Sequence, residues 1–349
     1  MINIASLAIG ITGCLVIALF VWDELQYDKF FEGHENVYRV YNESEKENSK
    51  QNVAVTPPMF ATYLQQQYPE VDTSLHILMS SSKFLFEAAE KVNYEDKGLF
   101  VEGSFFNVFP LKFVKGDPNT ALAAPMSVVI TDDLAKKYFG TSEAIDKTIY
   151  IDKDTFAVKG VLAELPKHFH LDFNYLMSLS SAKLPKARME KWTWTQFYTY
   201  IKVKPGTDRQ QLERKFEAAI EKDVKPMMKA DRITFTPHLQ ELKNIHLRSS
   251  DFVYDNAIRG NETYVKGLTM IALFVLVIAC FNFINLATAR SFRRAKEIGV
   301  RKVVGAGRKQ LIGQFTGETI LLSVFSIIIA TIATLILVPF LNDFTGKEI

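Results

Sequence analysis

The residues best able to do chemistry are crowded into one stretch, ARSFRRAKEIGVRKVVGAGRKQLIGQF, from Ala289 to Phe315. It carries eight Lys and Arg residues and a single acid, Glu297. Guanidinium and ammonium groups at this density bind anions: lipid headgroups, nucleic acid, or the acidic surface of a protein. Ile298, Arg301, Lys302 and Gly305 follow helical spacing, while Val303, Val304, Leu311, Ile312 and Phe315 supply apolar patches. Gly299, Gly305 and Gly307 permit a bend or a close backbone approach. A short amphipathic piece with a basic side lies on lipid headgroups or docks into a groove on a cytosolic partner. Composition alone favours the lipid surface. Nucleic acid is the poorer reading, because an adjoining anionic bilayer already accounts for the charge.

Two further clusters invite a chemical reading. HFH at His168–His170 places two imidazoles on one side of an extended segment, which suits a metal, but no third ligand can be named. WTWTQFYTY, Trp192 to Tyr200, is an aromatic cluster able to cup a lipid or drug; a strand with an aromatic core face is the simpler expectation. Catalytic and nucleotide motifs are lacking. GAGRKQLIG at Gly305–Gly313 does not complete a GxxxxGK[ST] phosphate loop, and no GxSxG, HExxH or CxxC occurs.

Three uncharged apolar runs must position these residues: Ile2 to Trp22, Gly267 to Ala289 and Thr319 to Leu341, of 21, 23 and 23 residues. A hydrocarbon core about 30 Å thick needs roughly 20 helical residues, so each run is long enough to span it. ITGC, ending at Cys14, resembles a lipoprotein cleavage pattern, but apolar residues continue to Trp22 and no basic residue precedes it; a retained helix is expected. The two cysteines, Cys14 and Cys280, both lie in apolar runs, so the region between the first two runs has no disulfide framework. From Asp23 to Glu262 there are 31 basic and 35 acidic residues, a net of −4, whereas Arg290 to Glu318 holds eight basic and two acidic, a net of +6. The positive-inside rule puts the basic loop in the cytoplasm and the long intervening region outside.

That outside region alternates between patterns. Val37–Tyr41 reads as a strand, Ser44 to Asn52 as a polar hairpin or loop, and MFATYLQQQY after Pro58 as a helix. Ser127 to Gly140 reads as strand, Thr131 cap, helix and glycine stop; Lys147 to Leu162 as a hairpin; Phe197 to Val224 as strand, turn and a helix capped near Asp208. The mixed order predicts an α+β region, divisible into two subdomains. The fold class expected is thus a membrane protein, with α-helical transmembrane spans plus an α+β extracytoplasmic domain between the first and second spans.

The string ARSFRRAKEIGVRKVVGAGRKQLIGQFTGETILL resembles the signature of FtsX-like ABC transporter permeases of the MacB type, carried here by Arg290, Glu297, Gly299, Arg301, Lys302, Gly305, Ala306, Gln314 and Glu318. INIASLAIGITGC, DELQYDKFFEGHENVYRV, TPPMF, GSFFNVFPLKFVKGDPNTAL, VVITDDLAKKYFG and VLAELPKHFHLDF are similar to the family's extracytoplasmic core domain. The resemblance implies residues 2–22, 267–289 and 319–341 as spans, 23–266 as a MacB-like extracytoplasmic core domain, 290–318 as a cytoplasmic coupling loop and 342–349 as the start of an external segment. It implies the bacterial cytoplasmic (inner) membrane as the location. It also implies a cytosolic ABC ATPase as partner, contacted by Arg290, Glu297, Gly299, Arg301, Lys302, Gly305 and Ala306. ATP and Mg would be held by that ATPase and no cofactor by this chain. A dimer, or a pseudo-dimer with a second permease half, is implied as well. Substrate need not cross the bilayer in that scheme, since force is transmitted across it. The family usually has a basic amphipathic helix before the first span and a fourth helix; neither is in this sequence, which leads to the expectation of a fragment or early-start gene model. The rival reading is an extracytoplasmic sensor, which would continue into a cytosolic coiled coil instead of returning to the membrane. An anchored envelope enzyme would need catalytic residues that the motifs do not supply.

Overall fold

The three uncharged runs form three long helices in the computed structural model, which describes residues 2–46, 49–80, 82–228, 236–305 and 307–349. In chain order the helices are α1 (Ile2–Glu24), α2 (Met59–Gln67), α3 (Phe105–Val108), α4 (Asp132–Phe139), α5 (Lys186–Met189), α6 (Arg209–Ala219), α7 (Lys225–Met228), α8 (Glu262–Arg293), α9 (Ala295–Val303) and α10 (Arg308–Thr345). Two units result: Met1–Leu25 with Glu262–Ile349, and Gln26–Asn261.

In the first unit α1, α8 and α10 are each long and apolar enough to cross a bilayer. Side chains such as Phe274, Ile278 and Phe281 on α8 and Leu335, Ile336 and Phe340 on α10 are exposed, an apolar surface that lipid covers. Helix α1 packs against both α8 and α10. Lipid tails are as apolar as leucine, so helix association there depends on close packing and hydrogen bonds. A Cβ at Gly10 would lie 2.3 Å from Ala279 Cβ, so only glycine allows this approach of α1 to α8. Asn282 also donates to the Ser6 hydroxyl. On α10 the small residues Ser326, Ala330 and Thr334 are buried one turn apart, and Thr12 Oγ1 of α1, bonded to Ala8 O at 2.7 Å, lies 3.4 Å from Ala330 O. Lys347 pairs with Asp23 at 2.8 Å and with Glu24, so the two nearly buried acids closing α1 are compensated.

The helices run past the uncharged stretches, and α10 does so through Gly313 and Gly317 on one side and Asn342 to Thr345 on the other. Helix α10 has 38 residues, about 57 Å at 1.5 Å per residue, nearly twice a hydrocarbon core of about 30 Å. Most of 290–318 is accordingly helical, divided among the end of α8, all of α9 and the start of α10.

The second unit is built on one hydrogen-bonded sheet. Its strands are β1 (Val37–Lys46), β2 (Ser49–Val53), β3 (Val71–Met79), β4 (Phe84–Ala88), β5 (Lys91–Glu95), β6 (Gly98–Val101), β7 (Phe113–Gly116), β8 (Ser127–Thr131), β9 (Thr148–Ile151), β10 (Asp154–Leu162), β11 (Tyr175–Ser178), β12 (Tyr198–Val203) and β13 (Thr236–Glu241). The order is β13-β1-β12-β3-β6-β11-β8-β10-β9-β4-β5, with β2 on β1 and β7 on β10. Pairing is antiparallel except at β10–β8 and β11–β6. Several local signals hold. Thr131 Oγ1 accepts from Leu134 N at the start of α4, and Gly140 ends that helix at φ 71°; Asp208 caps α6; Lys147 to Leu162 contains the β9–β10 hairpin. The sheet joins what the sequence suggested were two subdomains, because β6, β11 and β8 carry pairing across the middle. Three apolar clusters fill the unit: Phe105, Phe109, Phe169 and Phe173 centre one, Phe86, Tyr138 and Phe156 a second under α4, and Phe60, Leu64, Leu212 and Phe216 of α2 and α6 a third.

The close contact at Gly10 separates two otherwise equivalent substitutions. Gly13→Ala places its Cβ 3.9 Å from Val275 Cγ1 and is expected to stabilise by up to about 1 kcal/mol through helix propensity. Gly10→Ala drives a methyl into Ala279, and is expected to lower the thermal unfolding midpoint of the detergent-solubilised chain.

Candidate functional site

The basic segment is where two long helices and a short one meet. Helix α9 carries Glu297, Gly299, Arg301 and Lys302, Arg290 lies in the last turn of α8, and Gly305 turns the chain toward α10 at φ 99°, a conformation favouring glycine. Ala306 lies outside the described residues. Gly307 is extended and forms the N-cap of α10, its amide donating to Gln310 Oε1 at 3.3 Å. Of the three glycines expected to give a bend or close approach, then, Gly305 makes the bend. Gly299 is helical, and a Cβ added there would meet nothing within 4 Å, so its bare backbone faces open space.

Two side-chain braces hold this corner. Arg301 forks, donating through Nη2 to Glu297 Oε1 at 2.6 Å and through Nη1 to Gln314 Oε1 at 2.9 Å, which ties α9 to α10. Arg294 Nη1 donates to Glu318 Oε2 at 2.6 Å. All four charged groups are about half exposed, so each pair contributes at most about 1 kcal/mol. These pairs fix orientation more than stability. Arg290 lines the crevice beside Arg294 and Glu318. Ile298, Lys302, Arg308, Leu311, Ile312 and Phe315 line a second groove of about 380 Å³ between α9 and α10. Beyond it Val300, Val303 and Val304 stand 59%, 89% and 82% exposed. Valines so exposed, set among cations beside two spans, form an apolar surface with a basic border, suited to a groove or to lipid.

Arg294 did not stand out in the sequence. Nothing distinguishes it from its neighbouring arginines except Glu318, which lies 24 positions away.

The two histidines do not share one side of the chain. Residues 168–170 form a turn instead of an extended segment, and the two imidazoles have different surroundings. His170 is fully buried, its Nδ1 2.7 Å from Asp28 Oδ1 and its Nε2 2.7 Å from Tyr200 Oη. The backbone completes a clasp around this turn: Asp28 N donates to His168 O at 2.7 Å, His170 N to Asp28 Oδ1 at 3.1 Å and Ile258 N to His170 O at 2.8 Å. Asp28 adopts φ 61°, a left-handed conformation that aspartate tolerates better than most residues. Tyr27 stacks on His246 with ring centroids 3.4 Å apart. The residues by which the chain enters and leaves this unit are thereby fastened to one turn.

The aromatic cluster divides. Tyr198 and Tyr200 are core residues of β12, as the simpler expectation had it, while Trp192 packs edge-on against Phe60 and Tyr63 outside any strand. Burial pushes the Tyr198 phenol up to about 12; it donates to Tyr254 O at 2.7 Å and accepts from Asn256 N at 3.2 Å.

Comparison with known proteins places both parts of the chain. The MacB-like periplasmic core domain family matches residues 1–219, and the FtsX-like permease C-terminal family matches residues 269–348. The macrolide export ATP-binding/permease protein MacB of Salmonella typhi is 24% identical over 225 residues, covering 63% of this chain and 32% of that protein. Its counterpart in Neisseria meningitidis is 26% identical over 223 residues, with the same coverage. The chain thus matches about a third of the length of these curated relatives. A permease-protein domain from Porphyromonas gingivalis has a similar fold, with a TM-score of 0.54 and 16% identity over 68% of this chain and 98% of that one.

The clasp yields a stability prediction. His170→Ala leaves the buried Asp28 carboxylate and Tyr200 hydroxyl without that partner and is expected to cost about 2–5 kcal/mol. Tyr200→Phe removes one hydroxyl and should cost about 1 kcal/mol. Denaturant unfolding followed by near-UV circular dichroism checks both values.

Proposed function

The chain belongs to the family of ABC transporter permeases with a MacB-like periplasmic core domain and an FtsX-like C-terminal part, and from that premise we propose that it is the permease subunit of a transporter driven by a separate ATPase. As a member it is an integral protein of the bacterial inner membrane, with its α+β domain outside the cytoplasm.

In this reading α9 is the docking element for a cytosolic ABC ATPase. The observation that carries it is the exposed set Val300 and Val303 on a short helix between two spans, with Val304 just past its end, and Lys302 and Arg308 nearby in sequence. Gly299 leaves open backbone for close approach, and Arg290, Lys302 and Gly305 complete the contact with Ala306. Glu297 and Arg301 act differently. They brace α9 against α10 through Gln314, so a displacement imposed on α9 is delivered to α10 instead of being absorbed by a loose loop. ATP and Mg are held by the partner, and its closure would shift the spans as levers. The uncharged spans suit levers better than an ion pathway. The external domain would then change posture, as part of a dimer or pseudo-dimer of permease halves, and act on its substrate or signal without passing it through the bilayer.

Capture from native membranes tests the reading, comparing wild type with a Glu297→Arg, Gly299→Trp double variant. An ATPase is expected to co-purify with wild type in near-equal amount and to be lost from the variant while both insert normally. No ATPase with either protein would overturn the reading and favour a sensor.

A further inference from the structure

On the external unit, Glu213 and Glu217 lie one helical turn apart on α6 and face His238 on β13. His238 Nδ1 is 2.7 Å from Glu213 Oε1 and 3.9 Å from Glu217 Oε1. One ligand atom from each of the three residues falls within 4.8 Å of the others. We propose that Glu213, Glu217 and His238 form a binding site for a divalent transition metal of the zinc class.

Metal bonds of about 2.0–2.1 Å in a tetrahedral shell place ligand atoms roughly 3.3 Å apart. The two separations from Nδ1 lie on either side of that value, so small rotations about the outer side-chain bonds bring all three into range. The backbone supplies what such a site needs. The i, i+4 spacing puts both carboxylates on one face of α6, whose start is fixed by the Asp208 cap. His238 is held by its place in β13, opposite Tyr41 of β1, with the Tyr41 ring 5.3 Å away. Side-chain exposures of 19%, 42% and 22% for Glu213, Glu217 and His238 leave the cluster neither sealed nor fully solvated, with room for water as a fourth ligand.

Charge favours a cation. Two carboxylates face one imidazole, and Glu43 on β1 adds a third acid nearby, itself paired with Lys50 at 2.6 Å. Arg209, at the start of α6, donates instead to Leu239 O at 3.3 Å. The donor set, one imidazole nitrogen with carboxylate oxygens, selects zinc-like ions over calcium or magnesium, which prefer oxygen alone. A bound ion would replace the His238–Glu213 contact with a three-way link and staple α6 to β13, which is a sheet-edge strand paired only with β1 among the described residues.

The test is calorimetric titration of the full chain in detergent with Zn²⁺, with Mg²⁺ and Ca²⁺ in parallel, and with Co²⁺ absorption reporting coordination. Expected are one saturable zinc per chain, a higher unfolding midpoint with zinc, and ligand-field bands with cobalt. Glu217→Gln changes a group lying 3.9 Å from the imidazole and 42% exposed, so the zinc-free fold should be unaffected, while zinc affinity falls at least about tenfold. His238→Asn should abolish binding. Absence of saturable zinc binding in wild type, or zinc binding that both variants leave unchanged, would overturn the proposal.

Discussion

The external unit depends on fastening the entering and leaving segments of a long insertion to the same interior. The turn at His168–His170 does this with the Asp28 carboxylate, the Tyr200 hydroxyl and the Ile258 amide. A second buried group extends it. Arg39 of β1 is fully buried and donates to Asp255 at 2.8 Å, to Gln240 at 2.7 and 3.1 Å and to Ser249 at 2.9 Å. A buried ion pair adds little net stability over well-packed apolar residues, yet removing one partner costs several kcal/mol. Such groups therefore select one arrangement by making the others expensive. The consequence is a sheet in which β1 lies between β12 and β13, beside the last part of its own unit.

The corner around α9 follows the opposite physics. Its charged pairs are about half exposed and its apolar side chains face outward. Little in that geometry serves the stability of the chain alone. Solvent-screened pairs of this kind orient their helices at little energetic cost, whereas a buried network penalises any unpaired charge. Charge is thus buried and paired in the external unit, and solvent-screened in the corner around α9.

Much of this was legible because it is local. Runs of apolar residues mark the spans, Thr131 and Asp208 announce helix starts, Gly140 announces a helix end, and the period of the basic segment gives α9. What escaped is long-range. Asp28 and His170 are 142 positions apart, and Arg39 and Gln240 are 201 apart. HFH looked like ligand spacing because its neighbours were assumed extended; the turn sends the two rings to different partners. Arg301 was expected to contact a partner, and its bond to Gln314 could not be read because it depends on how α9 folds back on α10. The proposed trio on α6 and β13 is long-range in the same way: the two glutamates share one helix face, while the histidine arrives from another strand.

The register of β1 has a consequence for biosynthesis. Residues Asn42 to Lys46 find a partner at once in β2, but Val37 to Val40 pair with β12 at Thr199 to Lys202, and Tyr38 to Glu43 pair with β13 at Thr236 to Glu241. Half of the first strand is therefore on the far side of the membrane, unpaired, while most of the domain is still being made. Pairings so distant in sequence are slow to form and leave strand edges open meanwhile. The chain thus has to be available as far as Glu241 before the first strand has both of its long-range partners.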